Sequence, residues 1–374
     1  MAGPQLSEPD LAESPTDDRP SDGEGFLRPM KAISLVLTIA ASMLENTAVL
    51  GVIFRHHHLH RAPFYLLVNM CVLDLLRTVV CLPWVLTVVL HGAGWPYSQA
   101  ACKGLGFAST LLTFSGLFCL VLMAGERHMT ILHPHMHSQH CSGVLCVGLM
   151  VLTWGVALLL ALPPTVDLGT YAFLPGQAQC GLLHQHHTDN DTLAHLLITL
   201  AVLVGTAGLY IQIFRFLRAH RRMRPIMVEP VRSHNWSFVP GGLAANNMIA
   251  GVARAVTNPA ALGHQQQPHM AGRMTRQLVR GKERLTQGFV AVTITYTCLW
   301  LPYIILSVWQ TLDYSGQVSL AYVSLATWLS YVQVAVSPLV YVGTIKPLQK
   351  AILGASSQSH RNRNEDIEET HNFT

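Results

Sequence analysis

Polar and apolar positions fall into long blocks along this chain. Seven predominantly apolar runs, roughly Lys31–Phe54, Ala62–Leu90, Ala100–Met129, Ser142–Pro163, Thr192–Leu217, Leu285–Leu312 and Gln317–Val342, stand between stretches that carry most of the charge. A helix needs about 20 apolar residues to cross a hydrocarbon core of about 30 Å, and every run is that long. A water-soluble domain has no use for seven such segments. The pattern predicts an all-α membrane protein, a seven-transmembrane helix bundle over residues 31–343. It leaves an acidic, disordered segment at 1–30, a long third inner loop at about 218–284, and a segment at 344–374 that opens with a short amphipathic helix. Pro347 is expected to break that helix.

Composition agrees, and charge placement adds an orientation. Half of the 374 residues are hydrophobic and 12% are charged. The net charge of +4 is no argument for a nucleic-acid partner, and none is expected. Arg218, Arg221, Arg222, Arg224, Arg273, Arg276, Arg280 and Lys282 lie between the fifth and sixth runs, and Lys346, Lys350, Arg361 and Arg363 follow the seventh. The loops after the second, fourth and sixth runs carry no Lys or Arg. By the positive-inside rule the N-terminus is extracellular and the tail cytosolic, in a multi-pass protein of the cell membrane. Arg28 and Lys31 roughly match Arg55 and Arg61 across the first run, so the later loops carry this orientation. The first thirty residues hold no apolar core for a cleavable signal, and the first run is expected to serve as its own insertion signal.

Topology sorts the eight cysteines. Cys71, Cys81, Cys119, Cys146 and Cys298 fall inside runs, and Cys141 lies at a cytosolic boundary, where thiols stay reduced. Cys102 and Cys180 face the oxidising side and are expected to bond, tying the outer end of the third helix to the loop after the fourth; two free thiols are the alternative. Closing a loop of this length stabilises by about 4 kcal/mol in the chain-entropy model. Roughly 37 Å of helix separates Cys102 from Arg127, so one lies at each membrane face.

Ionisable groups are costly in a bilayer, so each needs an explanation. Arg127 follows Glu126 at the inner edge of the third run, where the carboxylate can hold the guanidinium until a partner or a helix movement releases it. Asp74 lies mid-membrane with Arg77 three residues on, close enough on one face to pair. The pair is the preferred reading; the alternative is a monovalent cation site that Asp74 shares with Asn46 and Ser337, which an adjacent guanidinium would oppose. Glu45 is a second uncommon acid, placed to face the same Arg77. In the sixth run Pro302 removes a backbone donor and leaves a weak point, with Trp300 just inside it. Pro338 does the same in the seventh, followed by Tyr341, and Tyr210 in the fifth is placed to meet that phenol.

Taken together and in order, these residues resemble the rhodopsin-like, class A G-protein-coupled receptors over nearly all of residues 31–354. The match includes Asn46, Asp74, Cys102, Glu126-Arg127-His128, Trp154, Trp300, Pro302, Pro338 and Tyr341. Loop motifs narrow it to the super-conserved receptors expressed in brain, an orphan group. These are Leu59-His60-Arg61-Ala62-Pro63-Phe64-Tyr65, Pro163-Pro164 with Asp167-Leu168-Gly169-Thr170-Tyr171, and His234-Asn235-Trp236-Ser237-Phe238. The resemblance implies a receptor that answers an unknown extracellular ligand and engages a heterotrimeric G protein, with arrestin and other receptors as further partners and the lipid bilayer as its solvent. No cofactor is implied.

Departures from the family pattern also matter. His128 replaces an aromatic, Glu45 stands where Gly is common, Ser337 replaces Asn, and Val202 replaces the usual Pro of the fifth helix. Lys282 occupies the place of an acid that clasps the arginine, and Glu283 substitutes only if rotated. A weaker clasp predicts signalling without ligand. Ser109 stands where receptors for biogenic amines carry Asp, and the seventh helix has no Lys for retinal. Phe107, Phe114, Tyr303, Trp309, Trp328 and Tyr331 offer aromatic and hydroxyl surface to an outer pocket; a packed core without a small-molecule site is the alternative.

Twenty histidines cluster in loops, but without the Cys or helical spacing of a zinc site, and no metal is expected. Asn190-Asp191-Thr192 is the glycosylation triplet expected outside; those at Asn235 and Asn372 are expected in the cytosol and bare. No nucleophile with a base and no phosphate loop suggests an enzyme. A transporter is disfavoured by the lack of an internal repeat. The alternative to a coupling receptor is a seven-span partner or scaffold of other receptors, which His128 and Ser337 leave open.

Overall fold

A computed structural model describes residues 22–92, 94–140, 143–166, 168–183, 190–223, 267–312 and 318–354. Seven helices are long and apolar enough to cross a membrane: Leu27–Arg55, Ala62–His91, Gln99–Leu132, Gly143–Val166, Leu193–His220, Arg280–Thr311 and Leu320–Thr344, called the first to seventh spans below. Helices suit these segments because a bilayer core offers no water to satisfy an unpaired backbone N–H or carbonyl. Mean hydropathy peaks at 2.5 in the fourth span, which is also the least buried, at 11% of its most apolar window against 50% for the third. A water-soluble bundle would reverse that order. Val144, Val151, Leu159 and Val204 are among many large apolar side chains that point outward, as side chains solvated by lipid should.

The third span forms the axis of the bundle, packing on the second, fourth and fifth spans and on a hairpin. Met70, Leu120, Met123 and Phe289 are fully buried in the main apolar cluster. The second span is broken: a helix over Ala62–Val80 restarts as Leu82–His91, with Pro83 near its start, where a missing N–H costs little. The restarted piece ends on Gly92, whose φ of 76° supplies the left-handed cap.

Short elements add to the expected bundle. The helix Pro134–His140 follows the third span. Strands Tyr171–Leu174 and Gln179–Leu182 form an antiparallel hairpin, with Phe173 opposite Cys180. Cys180 bonds Cys102, so the hairpin is stapled to the head of the third span. Tyr171 is fully buried, and its hydroxyl donates to the Ala161 carbonyl at 2.9 Å. The Tyr171 ring lies so close to Gly106 that an added Cβ would come within 2.7 Å, which explains the glycine there. Burial pushes the Tyr171 phenol above its usual range.

Pro347 does not break the final helix. Residues 346–354 are helical without interruption, and Pro347 is the second of them, where its fixed φ favours initiation. Ile345, Leu348 and Ala351 are buried at a spacing of three while Lys346 and Lys350 are exposed, so the helix is amphipathic.

Candidate functional site

At the end of the bundle that carries Arg127, the Glu126–Arg127 pair forms. Arg127 is only 2% exposed, and its guanidinium also lies 5.3 Å from the Phe289 ring of the sixth span. Glu126 is held from further sides: the Thr130 hydroxyl donates to it at 3.0 Å, and His137 Nε2 lies at 3.3 Å. His137 was legible only as a solvated loop residue, because nothing in the sequence signals the short helix that brings it back. His128 reaches Gln212 of the fifth span at 2.8 Å. Lys282 is exposed and Glu283 is buried, so the rotation that places an acid inward is realised, although the ion pair of Arg127 is with Glu126. An open cleft of about 920 Å³ lies here, lined by Arg127, His137, Leu285 and Pro347 among others.

Tyr210 and Tyr341 do not meet as expected. The Tyr210 hydroxyl bonds Thr293 at 3.2 Å, whereas Tyr341 is fully buried with a hydroxyl that has no hydrogen-bond partner. A phenol of the fifth span finds a nearer acceptor in the sixth.

In mid-bundle the expected Asp74–Arg77 ion pair is absent among the described residues. Arg77 donates instead to the Thr113 hydroxyl and stands 4.6 Å over the Trp300 ring. Asp74 Oδ1 accepts from Gln333 Nε2 at 3.1 Å, and its Oδ2 has no partner. Glu45 does not pair with Arg77 either; its Oε2 is buried without a hydrogen bond. Spacing along one helix places two residues on a face, but groups from the third and sixth spans compete for the guanidinium. Asn46 donates to the Val334 carbonyl at 3.0 Å, and its Oδ1 is left over. Gln333, absent from the sequence reading, joins the pieces: it donates to Ser337 at 2.7 Å and accepts from the Trp300 indole at 3.4 Å. One polar chain thus runs from Trp300, two residues before Pro302 of the sixth span, to Ser337, the residue before Pro338 of the seventh.

At the disulfide end a cavity of about 150 Å³ is lined by Ser109, Phe114, Tyr303 and Tyr331, as expected, and also by Arg77, Thr113 and His195. Phe107, Trp309 and Trp328 do not line it: Trp309 is 46% exposed on the bundle surface, and Trp328 donates to Ser34 of the first span. The hairpin covers the cavity. Tyr331 donates to the Gln177 carbonyl at 3.1 Å and Tyr303 to the Gln177 side chain at 3.3 Å, so the sixth and seventh spans hold the cover down. Asn190 opens the fifth helix, but its side chain, the 1–21 segment, most of the third inner loop with its His234–Phe238 motif, and the tail beyond Gly354 lie outside the described residues.

A seven-helix bundle with a stapled hairpin over a cavity at one end and a buried, paired arginine at the other is the architecture of a membrane receptor. Residues 45–341 match the 7 transmembrane receptor (rhodopsin family). The chain is 32% identical over 348 residues to the probable G-protein coupled receptor 173 of Bos taurus, covering 90% of this chain and 93% of that one. It is 34% identical over 331 residues to the human probable G-protein coupled receptor 27, covering 85% and 87%, and 32% identical over 288 residues to the probable G protein-coupled receptor 85 of Danio rerio, covering 75% and 77%. The chain belongs to the rhodopsin-like, class A G-protein-coupled receptors, in the orphan group of super-conserved receptors expressed in brain.

Proposed function

We propose that this receptor passes an extracellular stimulus to heterotrimeric G proteins by an outward swing of the sixth span about Pro302. One observation carries the reading: Arg127 is buried, paired with Glu126 and roofed by Phe289 of the sixth span, at the wall of an open cleft. Moving the sixth span removes Phe289 and bares a cation to a partner. A stimulus needs only to favour the displaced state over the resting one. The N-terminus is then extracellular, the cleft cytosolic and Asn190 a glycan acceptor.

The unpartnered oxygens of Asp74 and Asn46, with Arg77 turned away, support the monovalent cation site over the salt bridge. Asp74, Asn46 and Ser337 would hold the ion. The test of coupling is recruitment of G proteins by the native chain and by Arg127→Ala at equal surface amounts. Native signal that rises with expression and is lost in the variant supports the reading; no signal in either supports a scaffold.

A further inference from the structure

We infer that the covered cavity at the disulfide end takes a small carboxylate with an aromatic or apolar body, anchored on Arg77. The inference rests on the receptor reading and names the ligand class of its outer pocket. Arg77 is only 8% exposed, yet among the described residues no carboxylate lies within ion-pair distance of it. Asp74, three residues before it, is the nearest acid on its helix but stays beyond contact and bonds Gln333 instead; a buried cation without a paired carboxylate is costly, and the groups that touch Arg77, one hydroxyl and one ring, compensate it only in part. The cavity lining holds no Asp or Glu. Its charge is therefore of one sign, and Ser109 fits that sign: it puts no acid into the same lining, one turn from the Thr113 that Arg77 bonds, where an ammonium would meet the guanidinium.

The guanidinium is a planar fork that matches a carboxylate through two parallel hydrogen bonds, which a ring face cannot equal. Phe114, Tyr303, Tyr331 and Trp300 wall the rest of the space and suit an aromatic body. The site also carries its own link to the sixth span. Arg77 now sits on the Trp300 ring, and Trp300 lies two residues from Pro302. An anion that draws the guanidinium to itself weakens that contact and frees the ring at the hinge.

The test uses the purified full chain in detergent, with melting temperature as the readout, so that it does not depend on coupling. The probes are benzoate, phenylacetate and 3-phenylpropanoate, each beside its primary amide, and benzylamine. At least one acid should raise the melting temperature saturably, with its amide about tenfold weaker or more and the amine inactive. Arg77→Gln should remove the preference for acid over amide, and Arg127→Ala should keep it. Should Arg77→Gln fail to fold, Ser109→Phe, which fills the cavity from the third span, should abolish the response. No shift with any of the three acids, equal shifts with amides or amine, or an acid preference that survives the loss of Arg77 would overturn the inference. Acid binding in a chain that recruits no G protein would instead sink the coupling reading and leave the pocket standing.

Discussion

At the scale of single residues, partners across the bundle decide roles that spacing along one helix leaves open. Asp74 and Arg77 share a face, and that much was readable; their separation is set by Thr113, Trp300 and Gln333, which come from the third, sixth and seventh spans. Glu126 and Arg127, adjacent in sequence, needed no such knowledge, and they pair. Asp74 therefore makes the sharper test. If its free oxygen and that of Asn46 hold a monovalent cation, sodium should raise the melting temperature of the native chain over the same concentration of choline, and Asp74→Asn should erase the difference. Equal melting in the two salts would return Asp74 to a purely structural role, bonded to Gln333.

Among elements, the spans were legible and their ends were not. The third run, read as Ala100–Met129, is a helix over Gln99–Leu132, whereas the sixth helix begins at Gln267, well before the run that starts at Leu285. Hydropathy reports only the part immersed in lipid, and a polar helical extension leaves no trace in it. The hairpin and the helix Pro134–His140 were missed because elements this short are held by a disulfide and by neighbours, not by their own periodicity. Pro302 lies inside the sixth helix, which runs unbroken over Gln267–Leu312. Tyr322 of the seventh span donates to its carbonyl at 3.1 Å, a tie across the weak point. An interior proline costs a helix about 3 kcal/mol or more. Pro302→Ala should therefore raise the melting temperature, while G-protein recruitment falls as the sixth span stiffens. A variant that is more stable and recruits as well as the native chain would move the hinge elsewhere.

For the whole molecule, the sequence supplied the number of crossings, the staple and the likeness to the family, since all three rest on long runs and on residues with strong local chemistry. What it could not supply was the interior in three dimensions: a cavity with one cation, and a polar chain from Trp300 to Ser337. The proposed orientation rests on charge bias and has its own check. Asn190→Gln should remove a glycan seen as a mobility shift, while Asn235→Gln changes nothing; a glycan on Asn235 would invert the bundle. The central claim, a sixth span that swings to free Arg127, is tested most directly by distance. Spin labels at the exposed positions of Arg61→Cys and Arg284→Cys, with Cys141 and Cys298 replaced by Ser, report the gap between the second and sixth spans at the Arg127 end. Electron–electron resonance across a panel of nucleotide-free heterotrimeric G proteins should show that gap widening by several ångströms with at least one of them. A gap that stays the same when a G protein is bound, or no binding by any of the panel, would contradict the account.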